Sequence, residues 1–181
     1  MLATSTDGSF PMPWTCPICS GAGSLTCKGG PVTDHTESSI DIAAAPDRIM
    51  AVIADLAAYP EWSDGITAVQ VLQQGADRPE AARFTLDSGI VRDTYELAYT
   101  WEGDSRVSWK LIQAESLLKA LDGSYTLTPN GSGSTSVRYQ LQVDVKVPMI
   151  GMMKRKAEKV IIDTALKGLK KRVEATTSDS V

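Results

Sequence analysis

Residues 147–173 read VPMIGMMKRKAEKVIIDTALKGLKKRV, and this stretch decides the architecture. Its apolar residues recur at helical spacing. Met149, Ile150, Met153, Ala157, Val160 and Ile161 form one stripe, which drifts to Ala165, Gly168 and Leu169 further along. The other side is cationic. Lys154, Arg155, Lys156, Lys159, Lys167, Lys170, Lys171 and Arg172 stand against Glu158 and Asp163 alone, whereas the rest of the chain holds 10 basic and 20 acidic side chains. A terminal helix this polarised needs a surface to lie against. The stripe begins with deformable methionines (Met149, Met152, Met153) and carries small residues at Ala157 and Gly168, which permit close approach or leave space.

The preceding residues supply that surface. Glu37 to Ala44 reads as a first strand, with Ile40 and Ile42 on one side. Pro46-Asp47 opens a short helix that carries Ile49, Val52, Ile53 and Leu56 at helical spacing and ends near Ala58. Tyr59-Pro60-Glu61-Trp62 breaks it, because a residue before proline is pushed away from helix, and a short turn over Pro60 to Asp64 follows. Six strand-like runs come next: Ile66–Gln73, Ala82–Ser88, Arg92–Glu102, Arg106–Gln113, Lys119–Thr128 and Thr135–Val147. Glu102-Gly103-Asp104-Ser105 and Asn130-Gly131-Ser132-Gly133 read as hairpin turns, so the runs form an antiparallel meander.

Side-chain alternation gives the sheet two unlike faces. Asp93, Tyr95, Leu97, Tyr99 and Trp101 share one side of their strand. Val107, Trp109 and Leu111 do the same on the next, as do Leu121, Tyr125 and Leu127, and then Val137, Tyr139, Leu141, Val143 and Val145. The opposite face carries Glu96, Lys110, Arg138, Gln140, Asp144 and Lys146 and is wet. The apolar, aromatic face is the one the terminal helix must cover.

A chain of 181 residues with 43% hydrophobic content builds one core, so a single domain over residues 37–175 is expected, with a short disordered tail at 176–181. A sequence pI near 5.0 argues against nucleic acid as a partner. No apolar run reaches the length of a membrane span, and no basic-then-apolar leader is visible, so the expected location is the cytoplasm. Cys16, Cys19 and Cys27 all precede the body, which rules out a disulfide framework for it. Together with His35 they offer four zinc donors, but the spacing is not a standard one and no second CxxC or His pair follows; no metal and no cofactor is expected. Residues 1–36 show no helical or strand period and read as a disordered or non-native extension. Val32-Thr33-Asp34-His35 has the form of an alternative bacterial start at a GTG codon, and an intact mass from the native host corresponding to all 181 residues would rule that out.

One strand, two short helices, six antiparallel strands and a long terminal helix together resemble the helix-grip fold of the START-like superfamily, also called SRPBCC. The resemblance covers about residues 37–174. It is carried by Ala45-Pro46-Asp47, by Asp55-x3-Tyr59-Pro60-Glu61-Trp62, by Arg92-Asp93-Thr94-Tyr95, by Ser116-Leu117-Leu118-Lys119, and by Val147-Pro148-Met149-Ile150-Gly151 before the Lys-Arg-Lys run. The combination is similar to small actinobacterial proteins of the polyketide cyclase/dehydrase-like or coenzyme-Q-binding-like kind. It implies an α+β fold in which a curved antiparallel sheet of about seven strands wraps on the terminal helix, around a cavity for a hydrophobic small molecule.

The residues expected at such a cavity are Trp62, Phe84, Tyr95, Tyr99, Trp101, Trp109, Tyr125 and Tyr139, with Met149 and Met153 as an adaptable wall or gate. Any one inward aromatic can equally be core packing. For catalysis the body offers little: it has no histidine and no GxSxG nucleophile motif. Asp93 is the one carboxylate on the concave side, and near apolar walls its pKa would rise toward that of a general base; pairing with a cation or a backbone donor is the plainer reading. The expected function is binding or carrying a hydrophobic molecule such as a lipid, polyketide, quinone or isoprenoid. The alternative is a polyketide cyclase/dehydrase of aromatase type, and a third possibility is a fully packed structural domain. The cationic side of the helix is either solvated or docks on an anionic membrane. A monomer or weak dimer is expected, since pairing of the first strand with the last leaves few free edges.

Overall fold

The structure, a computed structural model, describes residues 35–87, 92–131, 133–146 and 151–178. The helix-grip pattern is present. Strand β1 (Thr36–Ile42) is followed by helix α1 (Pro46–Ala54), a single 3-10 turn (Leu56–Ala58) and the one-turn helix α2 (Tyr59–Trp62). Then come β2 (Ile66–Gln74), β3 (Pro79–Asp87), β4 (Arg92–Glu102), β5 (Arg106–Ala114), β6 (Leu118–Pro129), β7 (Thr135–Val145) and helix α3 (Gly151–Ser178).

Proline marks the starts of both short helices. Pro46 occupies the first turn of α1, where its missing N–H has no intrahelical acceptor to lose, and Asp47 adds negative charge beside the helix N-terminus. Tyr59-Pro60-Glu61-Trp62, expected as a break, is itself a helical turn, because Pro60 falls at its second position. The break is instead at Asp55, whose ψ of 74° leaves the helical region. At the other end, α3 runs past the expected limit of 175 to Ser178, and the Thr176 hydroxyl bonds back to the carbonyls of Arg172 and Val173.

The seven strands form one antiparallel sheet in the order β1-β7-β6-β5-β4-β3-β2, so the first strand pairs with the last and β2 is the far edge. Register shifts occur along β2, opposite Ile112 in β5 and at Lys119 in β6. Such insertions bend a strand and increase its twist, and here they curl the sheet. Alternation holds along the middle strands. Asp93, Tyr95 and Leu97 are buried in β4, Val107 and Trp109 in β5, Tyr125 and Leu127 in β6, and Val137, Tyr139 and Leu141 in β7.

Helix α3 does not lie across the middle of this face. It packs over β1 and β7 and against α1. Its buried row is Glu158, Ile162, Leu166, Leu169 and Val173, which meets Ile42, Ile49, Met50 and Ile53 in the core. This corrects the expected stripe: Met153, Val160 and Ile161 are 60, 59 and 46% exposed. Two adjacent rows of α3 are apolar, and helical periodicity alone could not choose between them. Placing the helix over one end of the sheet buries the row one position round and leaves an open space between the concavity over β4–β6 and the neighbouring row of α3. Near its far end α3 passes close to α2. A Cβ on Gly168 would stand 2.6 Å from the Trp62 carbonyl oxygen, so only glycine permits this approach.

Candidate functional site: a cavity between the sheet and the terminal helix

The uncovered concavity is a cavity of about 910 Å³, within the range of small-molecule sites. Its sheet wall is made by inward residues of β3 to β7, among them Phe84, Tyr95, Tyr99, Trp109, Tyr125 and Tyr139. Tyr59 and Trp62 close one end, and Met153, Ala157, Val160, Ile161 and Ala165 of α3 form the facing side. The helical residues are exposed because they border this space and its opening.

The aromatic side chains run as a chain of contacts along the wall. Trp62 and Tyr59 have ring centroids 4.5 Å apart, Tyr59 and Phe84 5.9 Å, and Phe84 stacks on Tyr95 at 5.6 Å. A second group centres on Trp109, with Tyr99, Tyr125 and Tyr139 at 6.2, 5.4 and 5.6 Å. Trp109 lies flat over Gly123 of β6, where a Cβ would come within 2.4 Å of the indole. Rings at these separations add attraction beyond the area they bury. Burial pushes the pKa of each of the five tyrosines upward, with smaller contributions from neighbouring ionisable groups, so all remain neutral O–H groups. The Tyr59 hydroxyl donates to the Ile53 carbonyl at 3.2 Å. Trp62 Nε1 is buried without an acceptor among the described residues, an omission that costs about 1–3 kcal/mol when nothing fills it.

The expected site residues thus divide. The cavity wall includes Trp62, Phe84, Tyr95, Tyr99, Trp109, Tyr125, Tyr139 and Met153. Met149 lies outside the described residues. Trp101 shares the inward parity of β4 but stands beyond the cavity. Its ring stacks on Tyr99 at 5.7 Å, its Nε1 donates to the Pro79 carbonyl at 2.7 Å, and the Arg78 guanidinium covers it at 5.3 Å. The strand continues past the pocket, and parity carries no information about that. Tyr59, Leu86, Asp64 and Lys156 line the space without having been expected there; the Tyr-Pro-Glu-Trp motif was the available signal for Tyr59.

Asp93 takes the plainer of its two expected roles. It is 5% exposed, and its carboxylate accepts from four backbone N–H groups: Thr94 at 2.9 Å, Ser116 at 2.9 Å, Leu117 at 2.8 Å and Leu118 at 2.9 Å. Burial pushes its pKa up, but the four donors outweigh that and hold it below the usual 3.8. The expected rise is therefore reversed. A carboxylate already occupied by four donors shapes the β5–β6 connection and has no spare basicity for a substrate. The other buried acid, Glu158, was unexpected. Its two oxygens accept from the Thr36 hydroxyl at 2.5 Å and the Val143 N–H at 2.9 Å, joining α3 to the end of β1 and to β7. Among the described residues no three His, Cys, Asp or Glu side chains are grouped to hold a metal ion. The cysteines at 16, 19 and 27 lie outside those residues.

Comparison with known proteins agrees with this geometry. The family described as polyketide cyclase / dehydrase and lipid transport matches residues 33–174. A START superfamily protein from Mycobacterium smegmatis is similar in structure at a TM-score of 0.73 and 24% identity, over 78% of this chain and 98% of that one. The Zhui aromatase/cyclase from a Streptomyces species superposes at a TM-score of 0.66 with 13% identity, over 77% of this chain and 93% of its own. A protein from Thermus thermophilus does so at 0.66 with 19% identity, over 78 and 98%. No curated protein sequence matches the chain. With the family match running from residue 33 to residue 174, through the whole sheet and most of α3, the chain belongs to the polyketide cyclase / dehydrase and lipid transport family.

Proposed function

We propose that this protein binds and carries a hydrophobic small molecule between its sheet and α3. The observation that carries this reading is the cavity of about 910 Å³, walled almost entirely by apolar and aromatic side chains. Protein interiors are otherwise close-packed, so a space of this size speaks for an occupant and against a purely structural domain. Native mass spectrometry of the purified protein, followed by solvent extraction, tests it together with uptake of the neutral dye N-phenylnaphthylamine. A retained lipophile or saturable dye uptake is the expected result. The absence of both a bound molecule and dye uptake would end the proposal.

The cyclase or dehydrase reading keeps the same cavity and is favoured by its neutral phenols. Apart from tyrosine, however, the ionisable groups along the described wall are Asp64 and Lys156, both exposed and on separate elements. A carrier returns its extracted ligand unchanged; chemical conversion on incubation would favour the enzyme.

Loading from an anionic bilayer fits the carrier reading. Met152 is 83% exposed and shares a row of α3 with Lys156 and Val160, beside the opening of the cavity. Several neighbouring cations are engaged within the protein: Lys154 pairs with Asp144, Lys159 with Asp163, and Arg172 with Glu61. The attraction would therefore rest on few charges, each contributing about 1 kcal/mol near an anionic surface. Flotation with vesicles of neutral and of anionic lipid should show a preference for the anionic ones. Equal flotation, or a dimer that hides this row, would remove the idea.

A further inference from the structure

Phenol hydroxyls interrupt the largely apolar sheet side of the wall, and their chemistry narrows what can fill the cavity. Tyr99, Tyr125 and Tyr139 surround Trp109 from three strands, with Tyr125 and Tyr139 only 4.4 Å apart. Among the described residues none of these three hydroxyls has a hydrogen-bond partner. Nor are they sealed within the wall, since Trp62 Nε1 is the one buried side-chain polar atom left unpaired among the described residues. All three therefore open on the cavity itself. Burial keeps each of them neutral, so each presents an O–H donor. The basic group in the described wall, Lys156, is exposed on α3 and offers no buried counter-charge.

Three kinds of occupant meet these hydroxyls differently. A hydrocarbon or acyl chain displaces their water and returns no acceptor, which leaves buried donors unsatisfied. A carboxylate brings a charge into an apolar space without a cation to pair with it. An uncharged ring compound with carbonyl oxygens accepts from the hydroxyls and lies against the ring walls. We propose, building on the carrier reading, that the cavity selects uncharged, carbonyl-bearing ring compounds over hydrocarbons and fatty acids. The hydroxyls of Tyr99, Tyr125 and Tyr139 determine that choice.

The test is competition against N-phenylnaphthylamine on the full chain, using menadione, methylnaphthalene and laurate. Menadione and methylnaphthalene share a ring system and differ chiefly in the two carbonyls. Menadione should compete at least about tenfold better than methylnaphthalene, the ratio that one net hydrogen bond supports, and also better than laurate. In the Tyr125→Phe/Tyr139→Phe double variant the ratio should fall to about threefold or less, through weaker menadione binding. If the double variant does not fold, single Tyr99→Phe and Tyr125→Phe variants carry the same comparison. A ratio that survives these changes would overturn the role of the hydroxyls. Methylnaphthalene or laurate competing as well as menadione in the unaltered protein would overturn the selectivity and leave the carrier reading intact. Failure to bind the dye at all would overturn the selectivity, and with no retained lipophile it would overturn the carrier reading as well.

Discussion

Asp93 was placed correctly by its alternation, and of its two expected roles the plainer one, pairing with backbone donors, is the one the fold realises. Alternation along β4 put it on the concave side, but its four acceptor contacts come from backbone groups of its own strand and of residues 116–118, which only the fold brings together. Asp93→Asn removes the charge and sets an amide N–H against backbone N–H groups, and should cost about 2–3 kcal/mol in denaturant unfolding. The pH dependence follows from the lowered pKa. The contribution of Asp93 is complete above its unfolded value near 3.8 and is lost as pH falls through the lower folded value. The stability gap between the parent and Asp93→Asn should therefore narrow on acidification; a constant gap would remove the charge from the explanation. Gly168 makes a second prediction at this scale. Gly168→Ala drives a Cβ toward the Trp62 carbonyl and should cost about 1–3 kcal/mol, read as a lower Tm. Gly168 was read from the sequence as either a close approach or a space, and the fold chose the approach.

Among the elements, α3 carries the largest difference between expectation and structure. Its existence, length and polarity followed from residue spacing, but its rotation did not. Val160-Ile161-Ile162 and Ala165-Leu166 make two neighbouring rows apolar, and the row that packs is set by where β1 and β7 stand. Glu158 lies in that packed row, a position that side-chain hydrophobicity assigns to an apolar residue. Among the described residues the β1–β7 pairing ends at Thr36, opposite Leu141, and beyond it the Val143 N–H donates to a Glu158 oxygen at 2.9 Å. Glu158→Ala should leave that N–H unsatisfied and cost about 2–3 kcal/mol, with faster amide exchange at Val143. Glu158→Gln keeps an acceptor for Val143 and should lose roughly half as much. Equal losses in the two variants would show that packing, not the hydrogen bond, sets the effect.

For the molecule as a whole, the decisive quantity is the space left where a helix does not cover a curved sheet. Ala157 faces that space from α3 and is not part of the packed row. Ala157→Trp should occupy part of the cavity, lower dye uptake by about tenfold or more, and leave unfolding within about 1 kcal/mol of the parent. Unaltered uptake would place the ligand elsewhere. The sequence by itself determined the order of elements, the antiparallel meander and which side of each strand is apolar, because those follow from local periodicity and turn residues. It also marked most of the aromatics that reach the wall. Only the tertiary structure decided that Trp101 lies beyond the cavity, that Asp93 is held by backbone donors, and which row of α3 is buried. Those outcomes depend on how far along a strand the cavity extends and where a helix rests on a sheet. Both are set by contacts between residues far apart in the chain, which no local pattern records.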